Sequence, residues 1–274
     1  MTPPIVIKFG GELIEQRAHL AAVVAGLSAI AGGGAPLVVV HGGGKEIDAA
    51  LETAGIEKRQ VEGLRITDQA TLDVVVAVLA GAVNTRLVAA LNAAGVRAVG
   101  LTGADGSCGL SAVAPPHRTV DGRVVDLGCV GIPDPAADMH VLHTLTAAGF
   151  VPVIACIGVG RDGRLFNVNA DTFAGHLAAR LGAGRLVIAG TTPGVLDTDR
   201  TTLALLDGDA IARLVSDGTA TAGMIAKLRA CEHALGGGVG EVVIVDGRDG
   251  KALEGAATSA APSCATRLVR MVTA

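Results

Sequence analysis

Leu37-Val38-Val39-Val40-His41-Gly42-Gly43-Gly44-Lys45 decides the architecture of this chain. Four consecutive aliphatic residues, three of them β-branched, read as a strand buried on both faces, because no polar residue alternates with them. Three glycines then turn the chain, and Lys45–Ala54 reads as a helix. Strand, glycine turn and helix make the unit of a parallel α/β sheet. Consecutive glycines at such a turn also leave backbone N–H groups uncovered at the positive end of a helix dipole, which suits an anion. No G-x-x-x-x-G-K-[ST] loop occurs in the 274 residues, so a nucleotide would be held by other means.

Outward from this unit the pattern repeats. Ile5–Phe9, Ala98–Thr102, Val151–Ala155, Arg185–Ala189 and Glu241–Asp246 read as further buried strands. Arg17–Ala31, Thr71–Ala94, Met139–Ala148, Asp171–Leu181, Asp209–Asp217 and Gly223–Ala234 read as helices, with Asp68 able to cap the longest of them. The alternation predicts an α/β fold with a mostly parallel central sheet covered on both faces. Ser111–Ala114 and Arg123–Val125 read as an antiparallel hairpin around Pro115-Pro116 and Asp121-Gly122, and a second hairpin turns at Asp162-Gly163. Gly158–Gly163 matches G-x-G-x-x-G, but Arg164–Val168 reads as the return arm of that hairpin and not as a helix, so the match is no dinucleotide fingerprint. A functional division is expected near Val159, with an N-terminal lobe of residues 1–158 and a C-terminal lobe of 159–274 sharing one sheet.

Composition narrows the function. Half the residues are hydrophobic and the net charge is −4, so nothing basic points to nucleic acid. Trp and Tyr are absent and Phe numbers four, which removes stacking platforms for single strands. Leu20–Val40 is free of charge, yet Gly32-Gly33-Gly34 and Pro36 break it into helix and strand, so no membrane span is expected. No signal segment precedes the first strand, and five scattered cysteines (Cys108, Cys129, Cys156, Cys231, Cys264) fit reduced thiols in the cytoplasm. His140 and His143 read as a helix surface, and no metal site is expected.

The chemistry concentrates in a few segments. Lys8 ends the run Ile5-Val6-Ile7 and precedes Phe9-Gly10-Gly11; Lys227 closes Gly223-Met224-Ile225-Ala226-Lys227. Lysines beside glycines whose backbone can approach a ligand suit phosphoryl transfer, in which spreading negative charge must meet cations and N–H donors. Arg65, in Gly63-Leu64-Arg65-Ile66-Thr67-Asp68, offers a planar fork that matches a carboxylate. Asn167-Val168-Asn169-Ala170-Asp171 opens a helix with three short polar side chains, of which capping accounts for one, Asn169 or Asp171.

Taken in order, Lys8–Gly11, His41–Gly44, Gly63–Asp68, Leu79–Asn84, Asn167–Asp171 and Gly223–Lys227 resemble the landmarks of the amino acid kinase superfamily, and within it are most similar to the acetylglutamate kinase family. The resemblance implies a three-layer αβα sandwich. It implies that ATP, with Mg²⁺, phosphorylates the side-chain carboxylate of N-acetyl-L-glutamate in arginine biosynthesis, with the acyl substrate over the N-terminal lobe and nucleotide over the C-terminal one. It assigns Lys8 to the attacking side of the phosphoryl group, Lys227 to the leaving side, and Asp171 to holding both. Gly10, Gly11 and Gly44 would donate N–H groups to phosphoryl oxygens, Gly43 and Gly44 would line the substrate cleft, and Arg65 and Asn167 would grip the amino-acid portion. Thr191, Gly223 and Met224 would border the nucleotide.

Three positions depart from the family pattern. Thr191 stands where an aspartate is expected, which bears on nucleotide affinity. Ala104 replaces a lysine and Ala222 a glycine. Family members inhibited by arginine resemble one another in an additional N-terminal helix; with Lys8 so near the N-terminus, a homodimer without arginine feedback is expected. A kinase for carrier-linked aminoadipate in lysine biosynthesis, or a nucleotide-binding regulatory homologue, stays open as an alternative.

Overall fold

Ile5–Phe9 lies inside an eight-stranded sheet, flanked in parallel by Leu37–His41 and Arg185–Gly190. The computed structural model describes residues 2–216, 222–258 and 261–270. From edge to edge the strands run Leu205–Leu206, Thr266–Leu268, Glu241–Asp246, Arg185–Gly190, Ile5–Phe9, Leu37–His41, Val151–Ala155 and Ala98–Thr102. Every described pairing in this sheet is parallel except that of Glu241–Asp246 with Thr266–Leu268. The predicted strands are all present. The two short strands at Leu205 and Thr266 were not anticipated, because two or three residues are too few to display a period.

Strand alternation divides the core in two. Ile5, Ile7, Phe9, Val39, Val153 and Val187 face the helices Arg17–Gly32 and Gly250–Thr258 through Leu27, Ile30 and Leu253. Val6, Val38, Val40, Ile154 and Ile188 face the opposite layer, where Phe173 and Leu177 of the helix Ala170–Arg180 and Leu228 of the helix Ala222–Gly236 complete the packing. The result is the expected three-layer αβα sandwich. Asp217, the expected end of the helix observed at Gly208–Ser216, lies outside the described residues.

The helical run Gln69–Ala93 is long and apolar enough, by length and composition alone, to cross a membrane. In the fold Leu72, Val75, Leu79, Val83, Leu87 and Leu91 sink into the core, while only a third of its most apolar window is buried. Asp68 caps it as expected, accepting from Thr71 N at 2.8 Å. A π-helical segment, Ala77–Val83, interrupts it just before Asn84.

One hairpin is corrected. Ser111–Val113 pairs with Val130–Pro133, and the residues near Asp121-Gly122 form a separate ribbon of His117–Arg118 with Val124–Val125. Pro115 and Pro116 lack N–H donors and end the first strand's ladder, which leaves it free to take the more apolar Val130–Ile132 as partner. The hairpin at Asp162-Gly163 forms as read, Ile157–Val159 against Leu165–Val168, with Gly163 at φ +82°.

A buried polar pair locks the glycine turn to this frame. His41 is wholly buried, and its Nε2 lies 3.0 Å from Asn84 Nδ2, which also donates to Val153 O at 2.9 Å. An amide donating to Nε2 puts the ring proton on Nδ1, facing Gly42 O at 3.3 Å. Asn84 in turn abuts Gly100, where an added Cβ would meet Asn84 Oδ1 at 2.2 Å. Burial, with a further push from Arg86, lowers the His41 pKa to about 4.

Since the unfolded chain binds this proton near pH 6.5 and the folded one does not, His41 contributes full stability above pH 6.5 and loses it as pH falls toward 4. Urea unfolding should show roughly 2 kcal/mol less stability at pH 5 than at pH 7 from this residue alone. His176, lowered to about 4 chiefly by burial, acts in the same direction. His41→Asn should flatten the dependence; an unchanged slope would remove His41 as its source.

Candidate active site

Lys8 shares its face of the first strand with Val6, so its side chain points toward the helix Ala170–Arg180. There Lys8 Nζ meets Asp171 Oδ1 at 2.8 Å, with both side chains nearly enclosed. Asn169 caps the helix, its Oδ1 accepting from the backbone N of Asp171 and Thr172 at 3.0 Å each. That resolves the open choice: Asn169 caps, and Asp171 is released for the lysine.

Three charges set one another. Burial would lower the Lys8 pKa, but the Asp171 carboxylate, then Glu12, outweigh it and hold the ammonium above its ordinary value. Burial would raise Asp171; Lys8, then Lys227, hold it below the usual carboxylate range. Lys227 goes the other way. Burial and the repulsion of Lys8 lower its pKa, and Asp171 and Glu12 only partly compensate. Lys8 and Asp171 are paired as ions, while Lys227 has no ion pair among the described residues. Cys156, raised to about 12 by burial, stays a thiol beside them.

The two glycine loops meet backbone to backbone. A Cβ on Gly11 would lie 2.7 Å from Gly43 Cα, and one on Gly43 would lie 2.7 Å from Leu79 Cδ2. Neither loop uses a positive φ; the glycines are required by close approach. Gly42 N donates to Phe9 O at 3.1 Å, tying the second loop to the end of the first strand. Gly43 precedes the helix Gly44–Thr53, whose first N–H groups have no intrahelical acceptor. One expectation is corrected here. Gly10 N–H donates to Ala189 O at 3.3 Å, because the sheet ladder continues one residue past the strand, so Gly11 is left as this loop's donor.

Beside the loops lies a cavity of about 230 Å³ bordered by Gly43, Gly44, Arg65, Leu79, Asn167 and Ala170. Arg65 reaches it from an arm Leu64–Arg65 that pairs with Gln60–Val61. Arg65 Nη2 is paired with Asp48 and contacts Gly44 O at 3.4 Å, whereas Nη1 is buried with no hydrogen bond to any described residue. Asp48, which sequence reading missed, is shared with Lys58 at 2.6 Å; burial would raise its carboxyl, and the two cations hold it down. Asn167 Nδ2 donates to Thr67 Oγ1 at 3.1 Å.

Thr191 follows Gly190 at the carboxyl end of its strand, next to Asp246 of the neighbouring strand. Gly223 is exposed and Met224 packs against the core on the first turn of the helix that carries Lys227 one turn later. The loops, Lys8, Asp171 and Lys227 thus gather at the carboxyl ends of the central strands, the usual ligand side of an open α/β sheet. Lys227 Nζ would lie 3.8 Å from a Cβ on Gly190, the residue before Thr191, and Gly223 and Met224 share its helix.

A model of the amino acid kinase family matches residues 3–246. The chain belongs to the amino acid kinase family. It is 45% identical over 255 residues to the acetylglutamate kinase of Novosphingobium aromaticivorans, a match that covers 89% of this chain and 83% of that relative. It is 42% identical over 244 residues to the acetylglutamate kinase of Methanopyrus kandleri, covering 88% and 94%. The fold is similar to that of smu.665 from Streptococcus mutans UA159, with a TM-score of 0.81 and 24% identity over 98% of this chain and 99% of that one. These relatives put the chain among the acetylglutamate kinases of the family.

In this amino acid kinase the glycines separate into two kinds. A Cβ at Gly11 meets backbone that cannot yield, whereas one at Gly44 meets nothing within 4 Å and would project into open space at the cavity. Gly11→Ala should cost about 1–3 kcal/mol of stability. Gly44→Ala should unfold within about 0.5 kcal/mol of the parent and yet impair phosphoryl transfer. Thermal melts and turnover on both variants check this; a fully active Gly44→Ala would show that the space is unused.

Proposed function

We propose that the chain transfers the γ-phosphoryl group of ATP to the side-chain carboxylate of N-acetyl-L-glutamate, giving an acyl phosphate and ADP, the step of arginine biosynthesis that its relatives' name implies. The observation that carries this reading is the buried Arg65 Nη1, without a partner among the described residues, on an arginine that borders a small cavity whose wall also includes Ala170, the residue before Asp171. A buried donor without a partner is costly unless a ligand supplies the acceptor. A guanidinium already oriented by Asp48 has one edge left for the α-carboxylate, and Asn167 offers an amide to the rest of the amino acid.

The chemistry needs little proton transfer. A carboxylate is ionised at pH 7 and attacks phosphorus without a base. One carboxylate oxygen forms the new O–P bond as the bond from γ-phosphorus to the bridging oxygen breaks and ADP departs. Lys8 meets the charge on the attacking side, and Lys227 meets it on the leaving side. Asp171 orients Lys8, and Gly11 and Gly44 donate N–H groups to the equatorial oxygens. Among the described residues no group of three or more His, Cys, Asp or Glu side chains is suited to hold a metal. Mg²⁺ would enter with ATP, held mainly by phosphate oxygens. In this reading the acyl substrate lies over residues 1–158 and the nucleotide over 159–274, with Thr191 beside the nucleotide. The apolar helix Gln69–Ala93, two thirds uncovered along its most apolar window, supports a second copy of the chain as partner, hence a homodimer.

Incubation with Mg-ATP, hydroxylamine and a panel of carboxylic acids should give hydroxamate with N-acetylglutamate above all others; no signal with any small acid would overturn the assignment. Lys8→Arg should lower turnover at least about 100-fold with a much smaller change in ATP affinity, because a planar guanidinium does not replace a compact ammonium. Unchanged turnover would remove Lys8 from the mechanism.

A further inference from the structure

Glu12 has no part in the roles described above, yet its carboxylate sits within the site. Its side chain folds back over the first glycine loop: a Cβ on Gly10 would lie 2.5 Å from both Glu12 carboxylate oxygens. The same carboxylate reaches across to the strand that ends at Gly190. A Cβ there would lie 3.9 Å from Glu12 Oε1 and 3.8 Å from Lys227 Nζ, so the two groups converge on one point above Gly190. Among the described residues no hydrogen bond or ion pair ties the Glu12 side chain down. It nonetheless favours the charged form of both Lys8 and Lys227. A half-buried anion thus lies over the Gly10-Gly11 loop within the field of two lysines.

We infer that the Glu12 carboxylate is an internal anion seated where the γ-phosphoryl group must come, so that nucleotide binds by displacing it. The inference rests on the phosphoryl-transfer reading above. Among the described residues Lys227 has no ion pair of its own, since Asp171 is taken by Lys8. Glu12 supplies a partial one and keeps the paired cations from repelling each other unscreened. The γ-phosphate brings more charge and more acceptor oxygens to the same lysines, and two anions cannot share the seat. Glu12 then swings out over solvent, which its freedom from hydrogen bonds allows. The residue acts on entry of the nucleotide and takes no part in the bonds that form and break. Its effect is selective for nucleotides that carry a γ-phosphate.

The test compares the parent with Glu12→Gln, which keeps size and removes charge. Calorimetric titration with the non-hydrolysable analogue AMP-PNP, without divalent metal, should give about 10-fold tighter binding to Glu12→Gln. ADP, which lacks the γ-phosphate, should change by less than about 2-fold. Equal AMP-PNP affinities, or equal gains for AMP-PNP and ADP, would overturn the inference. So would weaker binding by the variant with Mg²⁺ present, which would make Glu12 a ligand of the nucleotide's metal. Thermal melts of both proteins without ligand confirm that folded forms are compared. Failure of the kinase reading itself would look different, since the parent would then bind no AMP-PNP at all.

Discussion

A buried ammonium in the interior of a parallel sheet is the constraint on which the rest of this structure depends. Lys8 occupies a position that alternation assigns to the core, beside Val6 and facing a helix. Such a charge persists there only with an anion at contact distance, and Asp171 is that anion. Removing one member of such a pair costs about 3–5 kcal/mol, whereas a packed apolar pair of the same size would be no less stable. The pair is therefore poor evidence for stability and good evidence for use. Asn169 caps the helix so that Asp171 need not, and a Cβ on Gly42 would lie 3.4 Å from Ala170 Cβ, so the start of that helix lies close to the glycine loop.

The glycines answer the same requirement. Lys8 can serve a ligand only if the backbone on either side of it leaves room, and Gly11 and Gly43 touch where any side chain would separate the loops. His41 and Asn84 then tie the second loop to its own strand and to the strands of Val153 and Leu101 through a neutral imidazole and one amide, which also reaches Leu101 O at 3.5 Å. The π segment before Asn84 belongs to this arrangement, since Leu79 within it packs on Gly43. Steric exclusion thus sets the shape of the site, and a buried polar pair sets its register.

Much of this was legible in the sequence because it rests on short-range patterns. Runs such as Val38–Val40 have no alternative to a buried strand, and the bounds of Leu37–His41 and Val151–Ala155 agree with their reading. Asn169 and Asp171 were recognisable as more than caps, though their division of labour needed coordinates. What escaped depends on contacts between distant segments. The partner of Ser111–Val113 is chosen by a strand almost 20 residues away. Asp48 matters only because Arg65 folds onto it, and Gly10 loses its free N–H only because Ala189 lies beside it. Glu12 reads in sequence as an ordinary first-turn acid; only the fold brings it over Gly10 and toward Lys227.

The two lysines are electrostatically unequal, Lys8 paired with Asp171 and Lys227 without an ion pair among the described residues. Titration of the two side chains by lysine ¹³Cε NMR in the nucleotide-free protein tests this directly, with Lys8→Met and Lys227→Met used to assign the signals. Lys8 should titrate above the ordinary lysine value and Lys227 below it, and AMP-PNP should raise Lys227 more than Lys8. Lys227 titrating at or above Lys8 before nucleotide is added would contradict the account.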